Sequence, residues 1–429
     1  MRALLIPVFA LLLSTLFMQV GGGMASYLVP LRAAEEGWRT INISLIAAGF
    51  ATAFTLGCIV VPRLVFKVGH VRVFCALTAL MAISLLLHAV IVDPIAWIFF
   101  RALAGFGLSG CYMVIESWLN EKAPNESRGS LFSIYMIVTM AGLTMGQFIV
   151  PQGDITQTTL FIICAVTFLL ALLPTTLSNA SSPQPLNEVE FDLKGLFTRS
   201  QVSVVVSAIC GFITGSWMSL APVYSTMQNM TATEGAITLA MAVIGGAVFQ
   251  YPLGWLSDKI DRRYVMVLIS IIGAIACFSA MISGVDTRIV FYGVIVLIGA
   301  SIFPLYSVTI AHANDHSAPD EFVETSSGLL IVYGGGSIIG PLMGAVAMES
   351  IGPHGLFAMI AICFMTVGVF SAYRTLQREQ VPEEERIDFL ATPMARAASP
   401  QLFELDPRSD PEWGISEEDD EEANTGANA

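Results

Sequence analysis

One stretch of this 429-residue sequence sets three polar side chains, Arg101, Tyr112 and Glu116, in a regular row with Gly105 and Leu108. At 100° per residue these five fall within an arc of about 80° on a helix. Arg101 and Glu116 are then about 22 Å apart along the axis, too far to pair with each other. The run around them, from Trp97-Ile98-Phe99-Phe100 onward, is otherwise apolar. A cation in such a helix is costly unless it faces protein or water. The functional reading is a polar, notched stripe lining an aqueous cavity. The alternative is that Arg101 snorkels outward and Glu116 belongs to the cytoplasmic rim.

Chemistry of the bond-breaking kind finds little support. There is no HExxH, no GxSxG and no GxxxxGK[ST] in the sequence, which argues against a zinc protease, a serine hydrolase and direct use of ATP. His88 is the one histidine deep in an apolar block, and no partner for it is identifiable from sequence. The seven cysteines, at 58, 75, 111, 164, 210, 277 and 363, all lie in apolar blocks and form no CxxC pair. They read as small apolar helix residues, not as metal ligands or a disulfide framework. No metal, cofactor or enzymatic activity is expected.

The elements that must position the stripe follow from hydropathy. The chain is 55% hydrophobic and 13% charged, with mean hydropathy +0.71. A soluble domain carries about 25% charged residues. The apolar residues come in blocks of about 20, enough to cross roughly 30 Å of hydrocarbon as helix. Twelve spans are expected, near 4–28, 41–61, 73–92, 95–118, 130–150, 158–177, 201–226, 235–256, 264–283, 288–311, 325–347 and 354–373. The first begins after Arg2 and resembles a signal peptide, but its apolar run is long for one and many spans follow.

The net charge of −14 belongs mostly to one end. From Glu379 to Ala429 there are 15 acidic and 3 basic residues, so residues 1–378 carry only −2. The pI therefore says nothing about substrate charge. With the N-terminus inside, 16 of the 20 Lys and Arg fall on the cytoplasmic side, 3 outside (Arg32, Arg39, Arg288) and 1, Arg101, within a span. That asymmetry is what the positive-inside rule requires. The sequence also repeats itself: Arg72 pairs with Arg263, Gly107 with Gly299 and Gly146 with Gly340, at offsets of 191, 192 and 194. Six spans, a polar link and six more spans make two stacked bundles, a layout with a site between the halves near the midplane.

Several motifs resemble the major facilitator superfamily over residues 1–375. They are Arg101-x-x-x-Gly105-x-Gly107 in span 4, and Gly254-Trp255-Leu256-Ser257-Asp258-Lys259-Ile260-Asp261-Arg262-Arg263 after span 8. Two more are Glu121-Lys122-Ala123-Pro124-Asn125-Glu126-Ser127-Arg128-Gly129 after span 4 and Gly336-x-x-x-Gly340-Pro341-x-x-Gly344 in span 11. The run from Arg101 through Glu116-Ser117 to Gln147 looks closest to the YcaD-like branch. In the first half the loop signature is degraded: Pro62 and Phe66 stand where Gly and Asp are expected, leaving Lys67, Gly69 and Arg72.

The resemblance implies that spans 1, 4, 7 and 10 line the pathway, which makes Gln19, Arg101, Tyr112, Glu116, Trp217 and Tyr306 cavity candidates for a small amphiphilic solute. It also makes Arg72, Glu121, Arg128, Asp258, Arg262 and Arg263 candidates for ion pairs between helix ends that hold an inner gate shut. The alternative for the latter group is plain charge anchoring at the membrane surface. Gly105, Gly107, Gly142, Gly146, Gly336, Gly340 and Pro341 read as helix-packing positions. In the family a Gly-Pro in span 5 goes with antiport. Here span 5 has Gly146-Gln147, so antiport is not inferred.

The expected architecture is all-α, with twelve transmembrane helices in two pseudo-symmetric six-helix bundles and both termini cytoplasmic. Residues 1–177 form the first bundle, 178–200 a cytoplasmic linker and 201–375 the second. Residues 376–429, with Glu417 to Glu422 as an acidic run, read as a disordered cytoplasmic tail. The expected function is secondary transport of a small solute by alternating access, with proton coupling through Glu116 as an addition. The rival is a membrane sensor or scaffold acting through the tail. Expected partners are a small-molecule substrate, protons and the lipid bilayer, with no nucleic acid. The chain is expected to act as a monomer in a bacterial inner membrane.

Overall fold

The computed structural model describes residues 2–122, 128–177, 192–318, 321–377, 380–382, 386, 389–390 and 398–409. Among these, twelve helices are long and apolar enough to cross a membrane. The first half holds α1 (Arg2–Glu35), α2 (Thr40–Val68), α3 (His70–Val90), α4 (Pro94–Lys122), α5 (Arg128–Ile149) and α6 (Thr159–Leu170), which continues into α7 (Leu172–Thr176) after a break at Ala171. The second half holds α9 (Gln201–Met227), α10 (Ala232–Lys259), α11 (Arg262–Ser283), α12 (Arg288–Asn314), α13 (Phe322–Ile351) and α14 (Gly355–Thr375). Between them lies a short linker helix, α8 (Leu193–Arg199), whose N-cap Asp192 accepts from the Gly195 N–H.

The helices overrun the hydropathy blocks because their ends are capped in the polar zone. Thr231 and Glu234 form a reciprocal capping box at the start of α10, and Asp261 caps α11. Between α2 and α3 the chain reverses through the single residue Gly69 at φ +91°. Only a residue without Cβ takes that conformation freely, which accounts for a glycine surviving in the degraded first-half loop.

In the first half α4 packs on α2 and α3, and α1 on α5 and α6; in the second, α12 packs on α10 and α11, and α13 on α9. The tightest of these contacts are glycine faces pressed on backbone carbonyls. A Cβ added at Gly105 would lie 2.3 Å from the Phe50 oxygen, and one at Gly299 1.9 Å from the Ala242 oxygen. Gly146 faces the Val20 oxygen and Gly340 the Phe212 oxygen, each at 2.1 Å, and Gly336 the Ala208 oxygen at 2.0 Å; a Cβ at Gly142 would meet the Gln19 side chain at 2.7 Å and the Leu16 oxygen at 3.1 Å. Each pair, 105 and 299, 142 and 336, 146 and 340, is separated by 194 residues. The structural repeat thus matches Gly299 with Gly105, not with Gly107 as the sequence register had it. Gly107 faces α3 instead, where a Cβ would meet the Leu77 oxygen at 2.9 Å. Pro341 is buried next to Gly340 within α13.

The halves meet along α2 and α13, α1 and α9, and α5 and α10. On the face away from the linker they are tied by Arg39–Glu349 at 2.7 Å and by the Tyr27 hydroxyl, which donates to the Ala232 carbonyl at 2.5 Å.

On the linker face the tail departs from expectation. Residues 398–409 are folded, not disordered: α15 (Leu402–Leu405) and the turn Pro407–Ser409 are packed against α4 and α13. Leu402, Phe403 and Leu405 are fully buried. Acidic composition dominates the tail as a whole, yet this short piece carries enough apolar surface to offset its ordering where a groove receives it. The acidic run at 417–422 lies outside the described residues.

Candidate functional site

Arg101 is 7% exposed and points into the interior of the bundle. Its guanidinium carbon lies 4.5 Å from the centroid of the Phe50 ring on α2, a cation–π distance. It lines a small internal cavity of about 50 Å³, together with Gln19, Tyr112, Leu143 and Met218. The Tyr112 hydroxyl donates to Gln19 Oε1 at 2.7 Å. That bond turns the Gln19 amide nitrogen loose: Nε2 is buried and makes no hydrogen bond among the described residues. The cavity is mostly apolar, with a fixed cation and an amide donor on its wall. The unmatched Gln19 amide donor is costly where it stands and would be satisfied by an acceptor brought into the cavity. Met218 comes from α9, so both halves contribute to the wall. Arg101 also lines a smaller neighbouring void toward Ser26, Met218 and Ser219.

Of the six cavity candidates, the structure brings Gln19, Arg101 and Tyr112 together. Trp217 is buried against Phe357 at 6.3 Å and Tyr306 against Tyr333 at 5.0 Å, and neither lines that cavity. Glu116 lies on the same face of α4, about four turns from Arg101, and is 0% exposed. Its carboxylate accepts from the Tyr135 hydroxyl of α5 at 2.8 Å and from the backbone N–H of Ser399 at 3.1 Å; the Ser399 hydroxyl also donates to it. Glu116 is thus covered by the tail instead of opening to the cavity.

The charge network after span 8 is built within the second half. Arg262 is 1% exposed and forms a two-pronged pair with Asp315, at 2.7 and 3.3 Å. Asp258, partly exposed, reaches Arg262 at 3.3 Å. Arg263 pairs with Asp261 at 2.6 Å and donates to the Arg374 carbonyl at 2.9 Å, joining α11 to the end of α14. Burial tends to raise the Asp261 carboxyl, but its bonds and charge contact with Arg263 outweigh this and hold it below the usual carboxylate range. In the first half Glu121 lies 3.5 Å from Lys122, Arg72 is exposed, and Arg128 opens α5 facing the tail. Of the charge candidates, Asp258, Arg262 and Arg263 thus form ion pairs between helix ends, and with Asp261 and Asp315 they brace α10, α11, α12 and α14 together. His88 does find a partner: its Nδ1 lies 2.7 Å from the Ser84 carbonyl, within a cluster of Trp97, Phe100 and Phe161.

Sequence reasoning missed Phe50, Met218, Tyr135, Ser399 and Asp315. Asp315 alone carried a signal, as an acid just after span 10 on the same side as the basic pair.

The Major Facilitator Superfamily profile matches residues 11–335. The chain is 26% identical over 360 residues to an uncharacterized MFS-type transporter YcaD of Escherichia fergusonii, covering 83% of this chain and 92% of that one. A YcaD of Salmonella heidelberg is likewise 26% identical over 362 residues, at the same coverage. Among solved structures, the nucleoside transporter NupG superposes with TM-score 0.72 at 16% identity, covering 87% of this chain and 100% of that one. A bacterial homologue of the human lysosomal transporter Spinster, inward-facing and occupied, gives 0.69 at 15%, with 90% and 98% covered. The Escherichia coli fucose:proton symporter FucP gives 0.53 at 15%, with 86% and 99% covered. With twelve apolar helices in two matching halves and a profile match across most of its length, the chain belongs to the major facilitator superfamily of membrane transporters.

Proposed function

We propose that this protein carries a small organic solute across the membrane by alternating access, with residues 1–177 rocking against 201–375. The observation that carries the reading is the buried guanidinium of Arg101 in a cavity walled by both halves, beside the amide donor of Gln19. A donor-rich patch in an apolar chamber suits a solute with an apolar body and one anionic or acceptor-rich group. Energy would come from an ion gradient or from the solute's own gradient, since the sequence has no phosphate-binding loop. Proton coupling through Glu116 remains part of this reading, as does placement in a bacterial inner membrane with both termini cytoplasmic. The protein is proposed to act as a monomer.

The test is uptake into proteoliposomes across a panel of solutes first chosen by thermal shift, because a bound ligand raises apparent stability. The proposal expects hits among organic anions with apolar bodies, and uptake that Arg101→Ala abolishes. Uptake that survives Arg101→Ala would remove the site. Indifference to both a pH gradient and Glu116→Gln would remove the proton role alone.

A further inference from the structure

The segment 398–409 lies between the two halves at the linker face. On the first-half side, Ser399 covers Glu116, the Asn120 amide donates to Glu404 at 3.3 Å, and Pro407 lies 3.7 Å from where a Cβ at Gly129 would be. On the second-half side, the Arg408 guanidinium stands 5.2 Å from the Phe322 ring centroid at the start of α13. Arg408 is itself held by a 2.6 Å pair with the buried Asp406. Gln401, Leu402, Phe403, Leu405 and Asp406 are at most 1% exposed.

The chain is pinned on its way to this seat. The Phe389 N–H donates to Asp258 Oδ1 at 3.0 Å, and Arg386 donates to the Asp258 carbonyl at 3.3 Å. A Cβ at Gly254 would lie 2.1 Å from the Phe389 ring, so the loop signature after span 8 has a flat place that this ring fills.

From this we infer that segment 398–409 is a built-in latch: docked, it binds the halves together on the linker face and keeps that side of the pathway closed. Opening there separates α4 and α5 from α13, and the segment touches both sides of that cleft. It cannot keep both sets of contacts through the motion. Its release, by whatever competes for the tail, therefore precedes opening on this face. The docking itself does not depend on the transport reading; only the consequence for opening does.

Cys58 is a native reporter, buried in a void between α2 and α13 with Thr55, Tyr333 and Gly334. The experiment uses the full-length protein with Cys58 as its sole native thiol and follows N-ethylmaleimide labelling of the Cys58 peptide by mass spectrometry. Ending the chain after residue 397, or introducing Phe403→Asp, should speed labelling by about tenfold or more, because a lost apolar anchor shifts a two-state closure by that much. A Gly129→Cys, Pro407→Cys pair should cross-link on mild oxidation and hold labelling at the slow rate. If the shortened chain does not elute as a single species, Phe403→Asp and the cross-link decide. Failure of the pair to cross-link would overturn the docking. Unchanged labelling in the variants, with the cross-link formed, would overturn the latch and leave the transport reading to its own uptake test.

Discussion

Replacing Asp315 should cost far more than replacing Asp258, although Asp258 is the acid in the recognisable loop signature. Arg262 is 1% exposed and Asp315 3%, whereas Asp258 is 30% exposed. At 2.7 Å and an effective dielectric of about 20, the Arg262–Asp315 attraction is about 6 kcal/mol before desolvation. Desolvation of both ions cancels much of that, so the pair as a unit contributes little. Removing one member is different, because Asp315→Ala takes the two-pronged partner from a buried guanidinium, which keeps Asp258 at 3.3 Å and the Ser257 hydroxyl at 3.1 Å among its contacts. Loss of one partner of a buried pair typically costs about 3–5 kcal/mol, and the contacts that remain place this case near the lower end. About 3 kcal/mol is roughly a 150-fold change in the folding equilibrium. Asp258→Ala removes a part-exposed acid and should cost under about 1 kcal/mol. The double variant Arg262→Met, Asp315→Leu removes both charges and should recover most of the loss. Denaturant titration of the purified protein in mixed micelles gives all three values. An Asp258 variant as damaging as the Asp315 variant, or a double variant no better than Asp315→Ala alone, would refute the reasoning.

Further outcomes follow from the same structure. Gly299→Ala should destabilise by about 1–3 kcal/mol through overpacking against the Ala242 carbonyl, whereas Gly293→Ala, with open space around it in the same helix, should be neutral or better; thermal melts in detergent compare them. Arg101→Lys keeps the charge but loses the planar fork and the stacking on Phe50, so uptake should fall while folding, read by gel filtration, is retained. Glu404 is held above the usual glutamate range by burial, with the Asn120 hydrogen bond and the Arg128 charge pulling the other way. Its docked pKa exceeds its free one, so docking takes up a proton and strengthens as pH falls through the raised value toward the ordinary one. Proteolysis of the tail, normalised to the isolated peptide 398–409, should therefore slow on acidification, and Glu404→Gln should flatten that dependence.

The twelve spans were legible because length and apolarity report a helix in lipid without reference to its neighbours. The Arg101 stripe was legible for the same reason: a cation among apolar residues is anomalous within its own helix. What depends on two distant segments was harder to read. The register of the repeat slipped by two at Gly299, because span 4 carries two glycines and only the partner carbonyl decides which one is equivalent. Asp315 gained its role from an arginine 53 positions away. Trp217 and Tyr306 stand on helices that the family resemblance gives to the pathway, yet their rings meet Phe357 and Tyr333, which no pattern within α9 or α12 announces. The docked piece of the tail escaped notice because four helical residues show no periodicity, and its groove is supplied by α4 and α13.

The glycine faces have a mechanical consequence. Every carbonyl-tight pair among the six matched positions joins helices of one half: α4 to α2, α5 to α1, α12 to α10, α13 to α9. Backbones in direct register leave no side chains to slide or repack, so each half behaves as a stiff plate. Compliance is left to the side-chain-filled seams, such as Thr55 against Gly334, where α2 meets α13. If the halves rock as proposed, substitutions that tune the rate of that motion belong in those seams, and substitutions that threaten integrity belong on the plates.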